Sequence, residues 1–396
     1  MEDYTVINGL LNLTGIEVTK IEIKGNLMEI ECSSILEEQL CPCCLQKREK
    51  VKRRRERKIR DLSVFGKEVY LVLTTRQFYC ELCDRYFEEK FDFVEGNRGM
   101  TKRLEAYLYQ CVKRECLQVV GARENVQWEV LQRILEEYGK KALENLSTKK
   151  VTKLGIDEFA KRKGKGDYAT VLVDLDSGTV IDVLSYRDKA GLIAYFKAKG
   201  KAYCENIKVF SCDMWEGFSN TAKAVFPNAD VVIDRFHFFC HLNAVLDKQR
   251  KRLRKTHQEE EAFKRIKWLL FKAWEQLDQA QRKVLMKAFR LSPILRDLYF
   301  LKNELYNIFQ TDLTKEQAEK LLDQWQEQAK ALNNSYLNTF VNTLNNWKDK
   351  VLNFFKHRVS NGVVEGINNV IKMIKRQGFG YRNFEHFKLK IILFFD

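Results

Sequence analysis

The chain has 396 residues, too many for one ordinary hydrophobic core, so we expect two to four domains. The sequence has no run of roughly 20 apolar residues, the length that a membrane span needs. It also lacks the basic and apolar segments of a signal peptide, so we expect an unexported cytoplasmic protein with no membrane partner. Lys and Arg number 69 against 54 Asp and Glu, and the net charge of +15 favours a polyanionic partner, most commonly nucleic acid.

Residues 1 to about 35 alternate apolar and polar side chains around a turn at Lys24-Gly25-Asn26. Alternation with a period of two, interrupted by a glycine turn, is typical of two paired strands. The sequence therefore predicts a β-hairpin at the start of the chain.

The chain has eleven cysteines, and four of them form two close pairs in the segments CPCC and CELC. In a chain without a signal peptide, this pattern favours metal ligation over disulfides. We predict that Cys41, Cys44, Cys80 and Cys83 bind one structural Zn²⁺ in a zinc ribbon, with Cys43 left as a spare thiol. Redox pairs or fortuitous cysteines are the alternative.

Residues 50–60 (KVKRRRERKIR) contain eight basic side chains in eleven. Such a run is either the solvated face of a strand or an arm that contacts DNA phosphates. The residues alone leave these alternatives about even. In the second, Arg53, Arg54 and Arg55 would contact DNA.

Residues 100–139 are predicted to be helical, with Thr101 capping a first helix that runs through Lys113. Two further short helices meet at a turn at Glu124-Asn125, which is the plan of a helix-turn-helix. On the residues alone, an ordinary helical pair is slightly favoured. The side chains expected to face the DNA groove are Gln127, Trp128, Glu129, Gln132 and Arg133.

After a predicted linker at residues 147–150, strands are predicted at 151–159, 168–175 and 179–185, with a basic turn at 161–166. A helix near residues 188–199 and a strand-helix-strand-helix segment at 207–241 follow. This is the element order of a ribonuclease H-like mixed sheet, in which the first and fourth strands are neighbours.

Three acids are predicted to lie in this sheet. Asp157 is on the first strand, and Asp213 and Asp234 end the fourth and fifth strands, at the edge where such sheets place their chemistry. A single acid at a strand end is more often only a helix cap. Asp234 and His237, the latter spaced for a pair with His241, are expected to support the site or to pack rather than to bind metal.

Residues 242–355 are predicted to form an all-helical insertion whose tryptophans belong mostly to its core. The helix that follows is predicted to present Glu365, Asn369, Lys372 and Arg376 along one side, where they could hold a metal and a phosphate backbone. An exposed Glu paired with Lys is the usual alternative. The apolar stripe of this helix is predicted to contain Val363, Val364, Ile367, Ile371 and Ile374.

Together these segments resemble the insertion-sequence transposases of the ISL-three family. The matching stretches, in order, are CPCC with CELC, RKIRDLSVFGKEVYLVL, GIDEFAKRKG, CDMWEGF, DRFHFFCHLNAVLDKQR and SNGVVEGINNVIKMIKRQGFGYRNF. Such an ordered set is more specific than any single motif. Asn125, where glycine is frequent, and the extra cysteine of CPCC depart from the family pattern, and neither touches the acids.

The resemblance implies a DDE catalytic triad of Asp157, Asp213 and Glu365 that binds Mg²⁺ (or Mn²⁺), besides Zn²⁺ in the ribbon. It also implies a DNA-binding helix-turn-helix. The expected partners are double-stranded DNA, as terminal inverted repeats and as target, and a second copy of the chain in a homodimeric DNA complex. Lys372 and Arg376 are expected to contact DNA. The expected location is the bacterial cytoplasm, with the nucleoid when DNA is bound.

The expected fold is multidomain α+β and α/β. The expected domains are a hairpin and zinc ribbon (1–95), a helix-turn-helix domain (96–150), a ribonuclease H-like core (151–250), a helical insertion (251–355) and the C-terminal helices of the core (356–396). A DNA-binding regulator that lacks catalysis is the alternative function, and a nuclease of the same fold acting on RNA or junctions is a third.

Overall fold

The structure is a computed structural model, and it describes residues 4–48, 50–147, 150–162, 166–256, 261–359, 362–378 and 380–395. The predicted linker at 147–150 and the predicted turn at 161–166 lie partly outside the described residues. The described chain divides into two compact units, an N-terminal unit up to residue 140 and a C-terminal unit from residue 141. Among the described residues, no helix combines the length and the apolar character needed to cross a membrane.

The N-terminal unit is built on a sheet with the strand order β1-β2-β6-β5, and β7 also pairs with β6. Its elements are α1 (Thr5–Leu11), β1 (Ile16–Lys24), β2 (Leu27–Ser34), β3 (Gln39–Leu40), β4 (Lys47–Arg48), β5 (Val51–Val64), β6 (Lys67–Cys80), β7 (Arg85–Glu88), α2 (Lys102–Arg114), α3 (Leu117–Glu124) and α4 (Trp128–Ser147). The predicted hairpin is confirmed, since Lys24 pairs with Leu27 across the turn. Helix α1 was not predicted, because its short apolar pattern fits a strand equally well.

Helices α2 and α3 and the start of α4 lie where the sequence indicates, but α4 continues to Ser147, beyond the predicted end at residue 139. The Thr101 hydroxyl accepts a hydrogen bond from the Leu104 N–H at 3.3 Å and caps α2, as predicted. Asn125 ends α3 with a left-handed φ of 50°, a conformation that Asn tolerates better than most residues. A Cβ atom on Gly121 would lie 2.8 Å from the Val126 carbonyl oxygen, so only glycine lets the turn fold back this closely.

The C-terminal unit contains a mixed sheet with the strand order β10-β9-β8-β11-β12. Its first elements are β8 (Lys153–Ala160), β9 (Tyr168–Asp174), β10 (Val180–Leu184), α5 (Lys189–Ala198), α6 (Lys201–Asn206), β11 (Val209–Cys212), α7 (Glu216–Val225) and β12 (Asp230–Ile233). Strands β8, β9 and β10 pair antiparallel, and β11 runs parallel to both β8 and β12. The predicted order of strands and the adjacency of the first and fourth strands are confirmed.

The remaining elements are helical. They are α8 (Arg235–Thr256), a 3-10 turn (Glu261–Phe263), α9 (Lys267–Phe271), a 3-10 turn (Trp274–Gln276), α10 (Gln279–Leu291), α11 (Pro293–Gln310), α12 (Lys315–Ala331), α13 (Ser335–His357), α14 (Gly362–Gln377) and α15 (Phe384–Phe394). Trp325 and Trp347 are buried, as predicted, and Trp325 donates to the Leu301 carbonyl at 2.8 Å. Trp268 is the exception to the predicted core tryptophans, because it is 68% exposed.

Both faces of the C-terminal sheet are covered. Helices α14 and α15 share a buried apolar cluster with Phe159, Val171 and Val183 on one face, and α5, α7 and the helical insertion bury the other. The apolar stripe of α14 is Val364, Ile367, Ile371 and Ile374, as predicted, but the assignment of Val363 to it was wrong. Val363 is 45% exposed because it lies about 100° around the helix from Val364.

Candidate functional site

Four cysteines of the N-terminal unit converge on one point. Their Sγ atoms all lie within 4.8 Å of one another. The Cys41 and Cys83 sulfurs are 4.0 Å apart, and the Cys44 and Cys80 sulfurs are 3.6 Å apart. Sulfurs bound about 2.3 Å from a tetrahedral Zn²⁺ lie roughly 3.8 Å apart, so the cluster fits this ion. Cys43 is exposed and outside the cluster, as predicted.

The acids of the C-terminal unit lie on its central strands. Asp157 is on β8 and only 9% exposed, and Asp213 directly follows β11, the parallel neighbour of β8. The Asp157 carboxylate accepts hydrogen bonds from the Glu158 N–H at 2.7 Å and from the Asn368 side-chain amide at 2.6 Å. Asp213 accepts one from the Trp215 N–H at 3.2 Å. The two acids are therefore held by neutral donors.

Burial dominates the electrostatics of both acids. It raises the pKa of Asp157 above its usual range, and it raises the pKa of Asp213 to about 6. The charge of Asp157 also raises the pKa of Asp213, and the charge of Asp234 raises the pKa of Asp157. Among the described residues, no Lys or Arg forms an ion pair with either acid. Such a pair of carboxylates suits a hard divalent cation.

Asp234 and His237 form a pair beside these acids. Asp234 is buried, follows β12 and accepts a hydrogen bond from the His237 N–H at 3.3 Å, which caps the start of α8. The same carboxylate lies 2.9 Å from His237 Nδ1. This contact raises the pKa of His237, and the charges of Asp157 and Asp213 raise it further. The capping role that a lone strand-end acid suggests is therefore found at Asp234.

Glu365 lies in the first turn of α14 and is exposed. It lines a cavity with side chains of α8 and the helical insertion, and its charge acts on the Cys240 thiol of α8. In the described part of the chain, the four cysteines are the one group of three or more potential ligands whose ligand atoms all lie within 4.8 Å. Asp157, Asp213 and Glu365 thus do not form so tight a group here.

Three residues near the acids were missed by the sequence reasoning. Asn368 is buried and bonds Asp157 directly, one turn after Glu365 on α14. A Cβ on Gly155 would lie 2.9 Å from a Val364 methyl group, so glycine on β8 allows this close approach of α14. Arg187 pairs with Glu158 and lies over the Trp215 ring, 5.5 Å from its centroid. The spacing of Asn368 from Glu365 could have revealed Asn368, but no sequence signal indicates the roles of Gly155 and Arg187.

The basic run of residues 50–60 lies on β5, at one edge of the N-terminal sheet. Arg53, Arg54 and Arg55 are all exposed, and Arg55 pairs with Glu88 at 3.5 Å. Arg60 is instead buried and donates to the carbonyl oxygens of residues 124 and 125, which ties the strand to the turn after α3. The run therefore has an exposed cationic part at Arg53, Arg54 and Arg55, and it ends in Arg60, which stabilises the fold.

The predicted groove-facing residues begin α4. Gln127 and Trp128 are exposed, and Trp128 is 56% accessible to solvent. Gln132 donates to Glu136 at 2.7 Å. Arg133 is bound to the buried Glu105 at 3.0 Å, so its guanidinium already has a partner within the unit. On α14 of the C-terminal unit, the two predicted DNA contacts, Lys372 and Arg376, are exposed.

Comparisons with known proteins agree with these features. A family model described as "Transposase", for the DDE domain of the ISL-three group, matches residues 154–391. A second model, described as "zinc-finger of transposase IS204/IS1001/IS1096/IS1165", matches residues 37–83. The chain is 28% identical over 99% of its length to the transposase for insertion sequence element IS1001 of Bordetella parapertussis, of which it covers 98%. It is 24% identical over 58% of its length to the transposase for element IS1557 of Mycobacterium tuberculosis, of which it covers 57%.

Proposed function

The chain belongs to the ISL-three family of insertion-sequence transposases, and from this premise we propose that it binds the terminal inverted repeats of its element and cleaves and transfers DNA strands there through Asp157, Asp213 and Glu365. The observation that carries the proposal is the buried Asp157 and the half-buried Asp213 on and directly after neighbouring strands, which lack a Lys or Arg partner among the described residues. The strand order supports a ribonuclease H-like fold for this unit.

The carboxylates of Asp157, Asp213 and Glu365 would hold Mg²⁺ or Mn²⁺, because hard oxygen ligands suit these ions. When bound, two such ions supply activation of the attacking oxygen and stabilisation of the leaving oxygen. Asn368 holds Asp157 in place through its amide. Glu365 lies one turn before Asn368, so a modest change in its side-chain conformation and in the first turn of α14 would bring a third carboxylate toward the pair.

Asp234 and His237 would act as positioning residues. Asp234 fixes the His237 ring through Nδ1 and the start of α8 through a backbone N–H. A ring held in this way beside two acids limits how those acids move and supplies positive charge when it is protonated. Replacing Asp234 with Asn should therefore reduce cleavage less than replacing Asp157 or Asp213.

Recognition of DNA would fall to the zinc ribbon and the helices that follow it. The exposed arginines of β5 would contact phosphates, and exposed Gln127 and Trp128 would lie at the groove as the start of the second helix of a helix-turn-helix. Two inverted repeats imply two bound chains, and hence a homodimer in the DNA complex. We also propose that the domains meet near residues 95, 150, 250 and 355.

The test is cleavage of a DNA fragment that bears the element's ends by the purified full-length chain with Mg²⁺. Asp157→Asn, Asp213→Asn and Glu365→Gln should each abolish cleavage and leave binding of the ends largely intact. Because the three act as one unit, a double variant should be scarcely slower than a single one. Glu385→Gln, an exposed acid in the first turn of α15, is the matched control and should cleave normally.

The outcomes separate the alternatives. End binding without cleavage by the wild-type chain would favour a regulator that lacks catalysis. Cleavage that ignores the end sequence, or that requires RNA or a junction, would favour a nuclease of the same fold. Full activity of Asp157→Asn or Asp213→Asn would overturn the assignment of the acids.

A further inference from the structure

A cavity of about 380 Å³ lies beside Glu365 in the C-terminal unit. Its walls come from the first turns of α8, from the helical insertion and from the start of α14, and they include Phe236, Phe239, Tyr306 and Asn243. Its volume is in the roughly 300–1,000 Å³ range of sites that enclose small organic groups. The cavity is therefore large enough for a flat ring system.

The walls offer aromatic faces and edges. The rings of Phe239 and Tyr306 meet edge to face with centroids 5.5 Å apart. Phe236 is 50% exposed, so an apolar ring stands open to solvent beside a proposed catalytic acid. Its neighbour in sequence is His237, whose ring centroid lies 5.6 Å from that of Phe236. The aromatic wall is thus continuous with the side chains around the acids.

The cavity also holds an acceptor without a donor. The Oδ1 atom of Asn243 is buried and has no hydrogen-bond partner among the described residues. Lys302, which lines the same cavity, is already committed, because its Nζ donates to the carbonyls of Leu270 at 3.0 Å and Lys272 at 2.7 Å. A buried unpaired acceptor is costly, so this one calls for an N–H group from a bound molecule.

We propose that this cavity receives one nucleobase, unstacked from the DNA strand whose phosphate lies at the acids, with its ring against Phe236 and an N–H group bonded to Asn243. The inference rests on the proposed function and adds a base subsite to it. Stacking on aromatic side chains offsets the cost of taking a base out of the duplex, and every base has a face that can stack. An Oδ1 acceptor favours a base with an exposed amino or imino hydrogen.

The test pairs a protein change with a DNA change in the full-length chain. End fragments carry an abasic nucleotide at each position around the cleavage point in turn, and cleavage rates are measured for the wild type and for Phe236→Ala. At one position, the abasic nucleotide and Phe236→Ala should each slow cleavage by roughly 5- to 150-fold, the range that loss of one stacked base implies. Together they should slow it no more than either alone, and Asn243→Ala should behave like Phe236→Ala.

Phe300→Ala is the matched control, since Phe300 is 44% exposed on the insertion and does not line this cavity. It should cleave like the wild type on every fragment, and thermal melting should find all variants folded. The base subsite would be overturned, while the proposed function stands, by either of two results. One is that Phe236→Ala and the abasic nucleotide slow cleavage independently at every position, so that their fold-effects multiply. The other is that Phe236→Ala cleaves like the wild type. Failure of the wild type to cleave intact ends would overturn both.

Discussion

Replacing Asp213 with Asn should stabilise the metal-free protein, although it destroys the proposed active site. Burial raises the pKa of Asp213 to about 6, against an ordinary value of 3.8. An acid whose pKa is raised by folding leaves the free energy of unfolding unchanged below its unfolded pKa. As the pH rises from the unfolded pKa to the folded pKa, the acid destabilises the protein progressively, and the loss is complete above the folded pKa. At about 1.4 kcal/mol per pH unit, the full cost at neutral pH is about 3 kcal/mol. Solvent screening at this partly exposed side chain reduces it, so we expect about 1–3 kcal/mol.

The measurement is denaturant unfolding with and without Mg²⁺, at pH 7.5 and at pH 4. The gain of Asp213→Asn should be present at pH 7.5 and absent at pH 4, because Asp213 is then largely protonated in the folded chain. Mg²⁺ should stabilise the wild type by mass action and leave the variant unchanged, with K⁺ of equal ionic strength as the salt control. Asp230→Asn is the matched protein control. Lys356 lowers the pKa of Asp230, so that substitution should destabilise.

A lower stability of metal-free Asp213→Asn at pH 7.5 would refute this reasoning, as would an equal response of both proteins to Mg²⁺. The first result would mean that the carboxylate is stabilised by a partner in the folded chain. The second would mean that the ion binds elsewhere. The substitution keeps the acceptor for the Trp215 N–H, so loss of that hydrogen bond cannot account for a change in stability.

Three further changes test other parts of the chain. Replacing both Cys80 and Cys83 with Ser should remove one zinc per chain, measured by metal analysis, and zinc retained by the double variant would exclude the site. Replacing both Arg53 and Arg54 with Ala should weaken binding to all DNA and reduce the slope of log affinity against log salt by about 2, and an unchanged slope would contradict phosphate contacts. Arg133→Ala should lower the unfolding free energy by about 1–3 kcal/mol, because its buried acidic partner loses a hydrogen bond. An unchanged unfolding curve with weaker end recognition would instead make Arg133 a base-contacting residue.

Patterns that depend on a few neighbouring residues were predicted well. The strands β8, β9 and β10, the capping Thr101 and the turn at Asn125 each follow from local chemistry, and the structure has them where the sequence indicates. The spacing of the two cysteine pairs sufficed to predict that their four sulfurs converge, because two such pairs can share one tetrahedral ion. Val363 was assigned wrongly because a stripe of apolar residues does not fix which of two adjacent valines faces the sheet.

Contacts between distant segments could not be predicted from the sequence. Asn368 lies 211 residues from Asp157, and only the packing of α14 over Gly155 brings the two together. The buried bond of Arg133 to Glu105 depends in the same way on how α4 packs on α2. A polar residue in a helical pattern looks the same whether it faces solvent, a neighbouring acid or a ligand, so the sequence did not reveal the bond of Arg133 to Glu105.

The three acids on or directly after the central strands of the C-terminal sheet differ in a way that bears on function. Asp234 caps α8 and fixes a histidine, so its place is explained by the fold alone. Asp157 is buried and Asp213 half-buried, yet the donors that reach them are neutral and their pKa values are raised, so they lower the free energy of unfolding at neutral pH. A protein that only bound DNA would gain nothing from such a pair and would be more stable with amides in both places. Carboxylates that destabilise the folded chain unless a cation binds them are expected of a metal-dependent enzyme.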